Sequence, residues 1–146
     1  MTLAQELAKD LIGGEVLGLV GDLGSGKTVF VQGLAKALGV KEAVSSPTFV
    51  LMKSYATKKG KYLIHVDAYR LTASDQLADI GLAEYFGRPD SIVVIEWADQ
   101  VADFLPPGSM IIKFKEGKDE SDRIIEINPA PLLYSKDNER NPTSKR

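Results

Sequence analysis

Residues Gly21 to Thr28 read Gly-Asp-Leu-Gly-Ser-Gly-Lys-Thr, a spacing of glycines ahead of a Lys-Thr pair that suits a bound polyphosphate. A triphosphate needs several positive dipoles around it in a space too narrow for side chains. Gly21, Gly24 and Gly26 can adopt backbone conformations closed to other residues, so successive N–H groups turn inward and the following helix aims its N-terminus at the anion. Lys27 then reaches the β- and γ-phosphates, and the Thr28 hydroxyl is a ligand for Mg²⁺. Asp22, Leu23, Gly24, Ser25, Gly26, Lys27, Thr28 and Val29 are accordingly the candidate nucleotide-binding residues.

Magnesium in such a site also takes a carboxylate, usually at the end of a neighbouring strand after an apolar run. Glu96 closes Ile92-Val93-Val94-Ile95, and Asp67 closes Tyr62-Leu63-Ile64-His65-Val66 with one polar interruption. At carboxyl ends of strands, both acids lie on the sheet edge where α/β folds bind ligands. One is a candidate to hold the metal and the other to orient the attacking water. Each also fits a plain helix-capping role, worth about 0.3–1 kcal/mol. Thr48, in Ser-Ser-Pro-Thr-Phe, stands where a metal-sensing switch threonine would sit, and equally where a hydroxyl turn would form. Arg70 and Arg88 are candidates to neutralise transition-state charge. Trp97 reads as a packing wall beside an acidic ligand, and His65, in mid-strand, as a structural histidine.

These residues need a scaffold, and the hydrophobic pattern supplies one. Leu3, Leu7, Leu11 and Ile12 recur at helical spacing behind Thr2, a candidate N-cap, until Gly13-Gly14. Val16, Leu17, Leu19 and Val20 form the short apolar run of a strand buried on both faces, directly before the glycine-rich loop. From Thr28 to Leu38 the period is helical again, closed by Gly39. Residues 50–56 and 61–67 read as an antiparallel hairpin, 71–87 has helix-like spacing punctuated by Gly81 and Gly87, and 91–97 is a second buried strand. A short helix over 98–105 stops at Pro106-Pro107, and residues 109–117 with 122–127 read as a closing hairpin at the sheet edge. The expected class is α/β: a P-loop NTPase-like, mostly parallel sheet flanked by helices, with antiparallel hairpin strands. One domain is expected over residues 1–130, followed by a polar, aperiodic tail over 131–146.

Composition closes several other routes. Without cysteine, disulfides and thiolate nucleophiles are excluded, and one histidine cannot build a metal cluster alone. Eighteen basic and 20 acidic side chains leave a net charge of −2, so no global field draws nucleic acid or an anionic membrane. The first fifteen residues carry Glu6, Lys9 and Asp10 inside their apolar periodicity and read as an amphipathic helix, not a signal peptide. No apolar run approaches the roughly 20 residues that span a bilayer, so the expected location is cytoplasmic.

The order of these motifs resembles one family, TsaE (YjeE), the ATPase of bacterial tRNA threonylcarbamoyladenosine synthesis. Similar in order and approximate spacing are the segment 21–28, Ser45 to Phe49, the His65-Val66-Asp67-Ala68-Tyr69-Arg70-Leu71 run, Ile95 to Gln100 and the arginine of 122–127. The resemblance covers about residues 3–127 and implies that Gly21 to Thr28 hold ATP, with Thr28 and Glu96 at Mg²⁺. It implies that Asp67 is the catalytic carboxylate serving water, that Thr48 belongs to a switch-like segment, and that Lys27 and Glu96 act with them in catalysis. Tyr69 and Arg70 would shape the site, and Trp97 would be functional or interfacial. Ser25 stands where many relatives have alanine. The resemblance further implies TsaB and TsaD as partners, threonylcarbamoyl transfer performed by TsaD, and tRNA met indirectly.

Two other classes fit the same loop. A small-molecule kinase would deliver the phosphoryl group to a substrate hydroxyl, although little sequence remains after the last motif for a closing lid. A nucleotide-gated binding module would use nucleotide state without turnover. A GTPase is disfavoured because no guanine-reading Asn-Lys-x-Asp segment occurs.

Overall fold

A computed structural model describes residues 2–22, 24–45, 47, 52–58, 60–71, 75–119 and 123–129, the side chains of Asp75 and Arg123 excepted. The described elements are α1 (Leu3–Asp10), β1 (Val16–Val20), α2 (Lys27–Ala37), β2 (Met52–Ala56), β3 (Tyr62–Asp67), α3 (Asp75–Asp79), β4 (Ser91–Glu96), β5 (Met110–Glu116) and β6 (Arg123–Asn128). Short 3₁₀ segments cover Leu82–Tyr85 and Ala98–Phe104.

Six strands form one sheet in the order β2-β3-β4-β1-β5-β6. Strands β3, β4, β1 and β5 run parallel, while β2 and β6 are antiparallel at the two edges. The expected class is thus observed, both hairpins included. The central parallel strands β3, β4 and β1 are near-continuous apolar runs, as suits strands covered on both faces, and every residue of β4 is buried. One face packs Leu17, Leu19, Leu63, Ile92, Val94 and Ile112 against α1 and α2 through Leu7, Phe30, Val31 and Leu34. The other packs Val16, Ile64, Val66, Val93 and Ile95 against Leu77, Leu82, Ala98 and Val101.

Gly18 sits where the second face is tightest. A Cβ added there would lie 2.8 Å from the Ala98 Cβ and 3.1 Å from Ile111 Cδ1. Gly18→Ala is expected to destabilise the fold by about 1–3 kcal/mol through overpacking. A urea midpoint that falls at unchanged slope would show it; an unchanged midpoint would mean that the 3₁₀ segment is not held against β1.

One segment departs from the expected pattern. The first helix is closed at its start by a capping box, with Gln5 N–H donating to Thr2 Oγ1 at 3.3 Å and Thr2 N–H to Gln5 Oε1 at 2.8 Å. It ends at Asp10, and Ile12 lies outside it, 74% exposed. The cause is Glu15, whose carboxylate accepts the N–H groups of Ile12 and Gly13, both at 2.8 Å, and so holds this stretch in a turn. Within 71–87 the helix-like stretch is interrupted at Gly81, where the sequence punctuates it. Gly81 takes φ 78°, and beyond α3 the chain continues as a 3₁₀ turn. Residues 72–74 and the tail 130–146 lie outside the described residues. No helix of the described residues is long and apolar enough to cross a membrane.

Candidate functional site

At the carboxyl edge of the parallel strands, β1 runs into the loop that begins at Gly21 and leads to α2. Gly24 takes φ 77° and Gly26 φ 104°, left-handed conformations that a side chain would strain. Gly26 is also the N-cap of α2 and contributes no side-chain bond to it. The first turn of an eleven-residue helix therefore faces the loop without a side-chain acceptor of its own at the cap, the arrangement that receives an anion. Asp22 and Val29 are exposed on either side, while Leu23 lies outside the described residues.

Lys27 is 4% exposed, and its ammonium is folded back onto the loop. Its Nζ donates to the carbonyls of Gly21 at 2.5 Å and Asp22 at 2.8 Å and to Ser25 Oγ at 3.2 Å, and it lies 4.0 Å from the centre of the Trp97 ring. Burial lowers its pKa from the ordinary lysine value, opposed by the negative charges of Glu96, Asp22, Asp99 and Asp67. Trp97 is held at φ 60°, a left-handed conformation unusual for a bulky residue, and its ring packs at a tilt of 50° against that of the half-exposed Tyr69, centroids 4.8 Å apart. The three side chains form one wall of the site.

The acids occupy adjacent strand ends. Asp67 and Glu96 are direct partners across β3 and β4. Alternation along β3 puts Leu63, His65 and Asp67 on one face, and along β4 it puts Ile92, Val94 and Glu96 on that same face, which α2 covers. Thr28, in the first turn of α2, thereby meets Glu96, its Oγ1 donating to Glu96 Oε1 at 2.8 Å. The second Glu96 oxygen, Oε2, is 2.5 Å from His65 Nε2. Glu96 does not cap the 3₁₀ segment behind it, whose N-cap is Trp97. Asp67 caps in part: its Oδ1 accepts the Tyr69 N–H at 2.9 Å. Burial raises the pKa of Asp67, Glu96 adds to that, and the bond from Tyr69 opposes it.

The structure therefore brings Lys27, Thr28, Asp67, Tyr69, Glu96 and Trp97 together. Arg70, in the turn after β3, is exposed. Thr48 lies outside the described residues, as does the side chain of Arg123. Arg88 is far from the site: it precedes β4 at the end opposite Glu96 and pairs with Asp90 at 3.3 Å. Five residue steps of strand separate Ser91 from Glu96, roughly 16 Å, beyond the reach of an arginine. His65 is not the fully satisfied structural histidine its mid-strand position suggests, since Nε2 binds Glu96 while the buried Nδ1 has no hydrogen-bond partner among the described residues. The signal for it was the two-residue spacing of His65 and Asp67, which puts both on the face that carries Glu96.

Among the described residues no three Asp, Glu or His side chains converge into a metal cage. The paired oxygens of Thr28 and Glu96 instead suit a hard cation that completes its shell with phosphate oxygens and water, as Mg²⁺ does.

Comparison with known proteins bears on the family and the fold. Residues 1–125 match the family described as "Threonylcarbamoyl adenosine biosynthesis protein TsaE". A protein named "tRNA threonylcarbamoyladenosine biosynthesis protein TsaE" from Aquifex aeolicus is 48% identical over 100 residues, covering 67% of this chain and 68% of its own. One of the same name from Bacillus subtilis is 40% identical over 112 residues, 76% and 68% of the two chains. Among solved structures, the crystal structure of Bacillus subtilis YdiB superposes with a TM-score of 0.69 at 28% identity, over 95% of this chain and 86% of that one. Sequence match over most of the chain and likeness of fold agree, and the chain belongs to the TsaE family of threonylcarbamoyl adenosine biosynthesis proteins.

Proposed function

We propose that this chain binds and hydrolyses ATP with Mg²⁺ at the 21–28 loop, and that it does so as the energy-coupled accessory subunit of threonylcarbamoyl transfer to tRNA adenosine. The convergence of Thr28 on Glu96 at the mouth of the loop carries this reading. Thr28 and Glu96 would hold the magnesium ion, which neutralises phosphate charge in phosphoryl transfer.

The chain's own groups do the rest. Loop N–H groups and the start of α2 cradle the phosphates, and the Lys27 ammonium exchanges the loop carbonyls for phosphate oxygens. Asp67 stands beside Glu96 with a pKa raised by burial above the ordinary carboxylate value, which favours a group that accepts a proton from, or orients, water. Tyr69 and Trp97 wall off the phosphate lysine. Loss of the γ-phosphate would release the segment 45–49, including Thr48, and alter a surface that a partner reads. The partners would be TsaB and TsaD in the cytoplasm. With a net charge of −2 this chain meets tRNA through them and not directly. The working unit would span 1–130, with 131–146 as a tail.

Depleting the protein in its host and complementing with wild type or Lys27→Ala tests the assignment. Threonylcarbamoyladenosine in digested bulk tRNA, measured by mass spectrometry, is expected to fall and to return only with wild type. A level that never changes would overturn the tRNA reading and favour a small-molecule kinase.

A further inference from the structure

We propose that His65 is a positioning residue for the site, anchoring one oxygen of Glu96 so that the other stays aimed at Thr28 and the metal. The inference rests on the assignment of Thr28 and Glu96 to the magnesium ion. Both members of the pair are buried, His65 at 0% and Glu96 at 2% exposure, and they lie on one face of adjacent parallel strands. Glu96 Oε2 takes the His65 Nε2 contact and Oε1 takes the Thr28 hydroxyl, so the carboxylate is fixed from two sides.

An anchor of this kind is needed because the terminal torsion of a glutamate is broad and has no strongly preferred setting. Without a partner for Oε2, the carboxylate plane would swing about its own axis, and Oε1 would meet Thr28 only part of the time. A metal entering between Thr28 and Glu96 replaces the bond between them, and the His65 contact is then the one that still orients the carboxylate. Partners of this outer kind are what aim ligands in metal sites.

The hydrogen-bond pattern assigns the His65 proton. An ionised carboxylate only accepts, so Nε2 carries the hydrogen. Nδ1 has no partner among the described residues, which is tolerable for a lone pair and costly for a buried N–H. An apolar side chain of similar size would fill this position without an orphaned nitrogen. Packing alone therefore does not account for an imidazole here, and the contact with Glu96 does.

The test is calorimetric titration of a non-hydrolysable ATP analogue into the full chain, once in EDTA and once across a Mg²⁺ series, with a thermal melt of each variant. His65→Leu is expected to bind the metal-free analogue as wild type does, while the Mg²⁺ concentration needed for half of the metal-induced gain rises about 10- to 100-fold. His65→Gln, whose amide N reaches the level of Nε2, is expected to recover most of that loss, whereas His65→Asn, whose amide stops near Nδ1, is not. In a Glu96→Ala background, His65→Leu is expected to have no further effect, because the histidine acts through that carboxylate. Equal Mg²⁺ dependence in wild type and His65→Leu, or Gln and Asn behaving alike, would overturn the role of His65. Absence of analogue binding, or of any Mg²⁺ dependence, in the wild type would instead overturn the nucleotide assignment beneath it.

Discussion

Asp67→Asn is expected to keep ATP affinity near that of wild type and to lower kcat by about 10²- to 10⁴-fold, the range over which a positioned acid–base group contributes. The substitution is nearly isosteric, and the Asn oxygen can still accept the Tyr69 N–H that Asp67 Oδ1 takes at 2.9 Å. What disappears is the capacity to receive a proton. The same change makes a second, independent prediction about stability. Burial, then the neighbouring charge of Glu96, lifts the Asp67 pKa above its ordinary value of 3.8, so the native state holds this proton more tightly than the unfolded state. As pH rises from 3.8 through the raised value, the native state binds the extra proton, and stability falls by linkage. The deficit persists at neutral pH. Asp67→Asn is therefore expected to melt higher than wild type at neutral pH and to lose that part of the acid-range slope, while turning over far more slowly. Hydrolysis equal to that of wild type would take Asp67 out of the reaction; an unchanged melting profile would show that the carboxyl carries no burial penalty.

Removal of the loop lysine acts on binding instead. Lys27→Ala is expected to weaken ATP by about 1.5–3 kcal/mol, or about 10- to 150-fold in Kd, the worth of a charge-assisted contact to phosphate. The side chain already lies where the contact is made: its Nζ donates to the Gly21 and Asp22 carbonyls and faces the Trp97 ring at 4.0 Å. Burial disfavours its charge, and the acids around it only partly offset this. An arriving triphosphate would offer this ammonium anionic oxygens in place of neutral carbonyls, so part of the affinity would come from stabilising a charge that burial disfavours. Calorimetric titration of ATP reads the difference directly. Wild-type affinity in the variant would remove the 21–28 loop from the site.

How much of this was legible follows from the range of each signal. The strand, glycine-rich loop and helix from Val16 to Leu38 lie next to one another, so local periodicity and glycine placement sufficed. The same holds for the strand ends at Asp67 and Glu96. Helical spacing misled at Ile12, because period counting does not register a carboxylate that captures two backbone N–H groups. Arg88, a candidate by residue type alone, precedes β4, and the extended strand carries the chain away from it to Glu96.

By itself, the sequence determined the family, the glycine-rich loop ahead of Lys27-Thr28, and which side chains are chemically able to serve a phosphate. The tertiary structure decided which of them meet. Thr28 and Glu96 are 68 residues apart and become partners only because the order β3-β4-β1 sets the end of β4 beside the loop that leaves β1. His65 acquired a role only when parallel pairing set Asp67 opposite Glu96 and turned His65 to the same face. Register between strands arises from packing of both sheet faces at once, a property of the whole core that no local stretch of sequence contains.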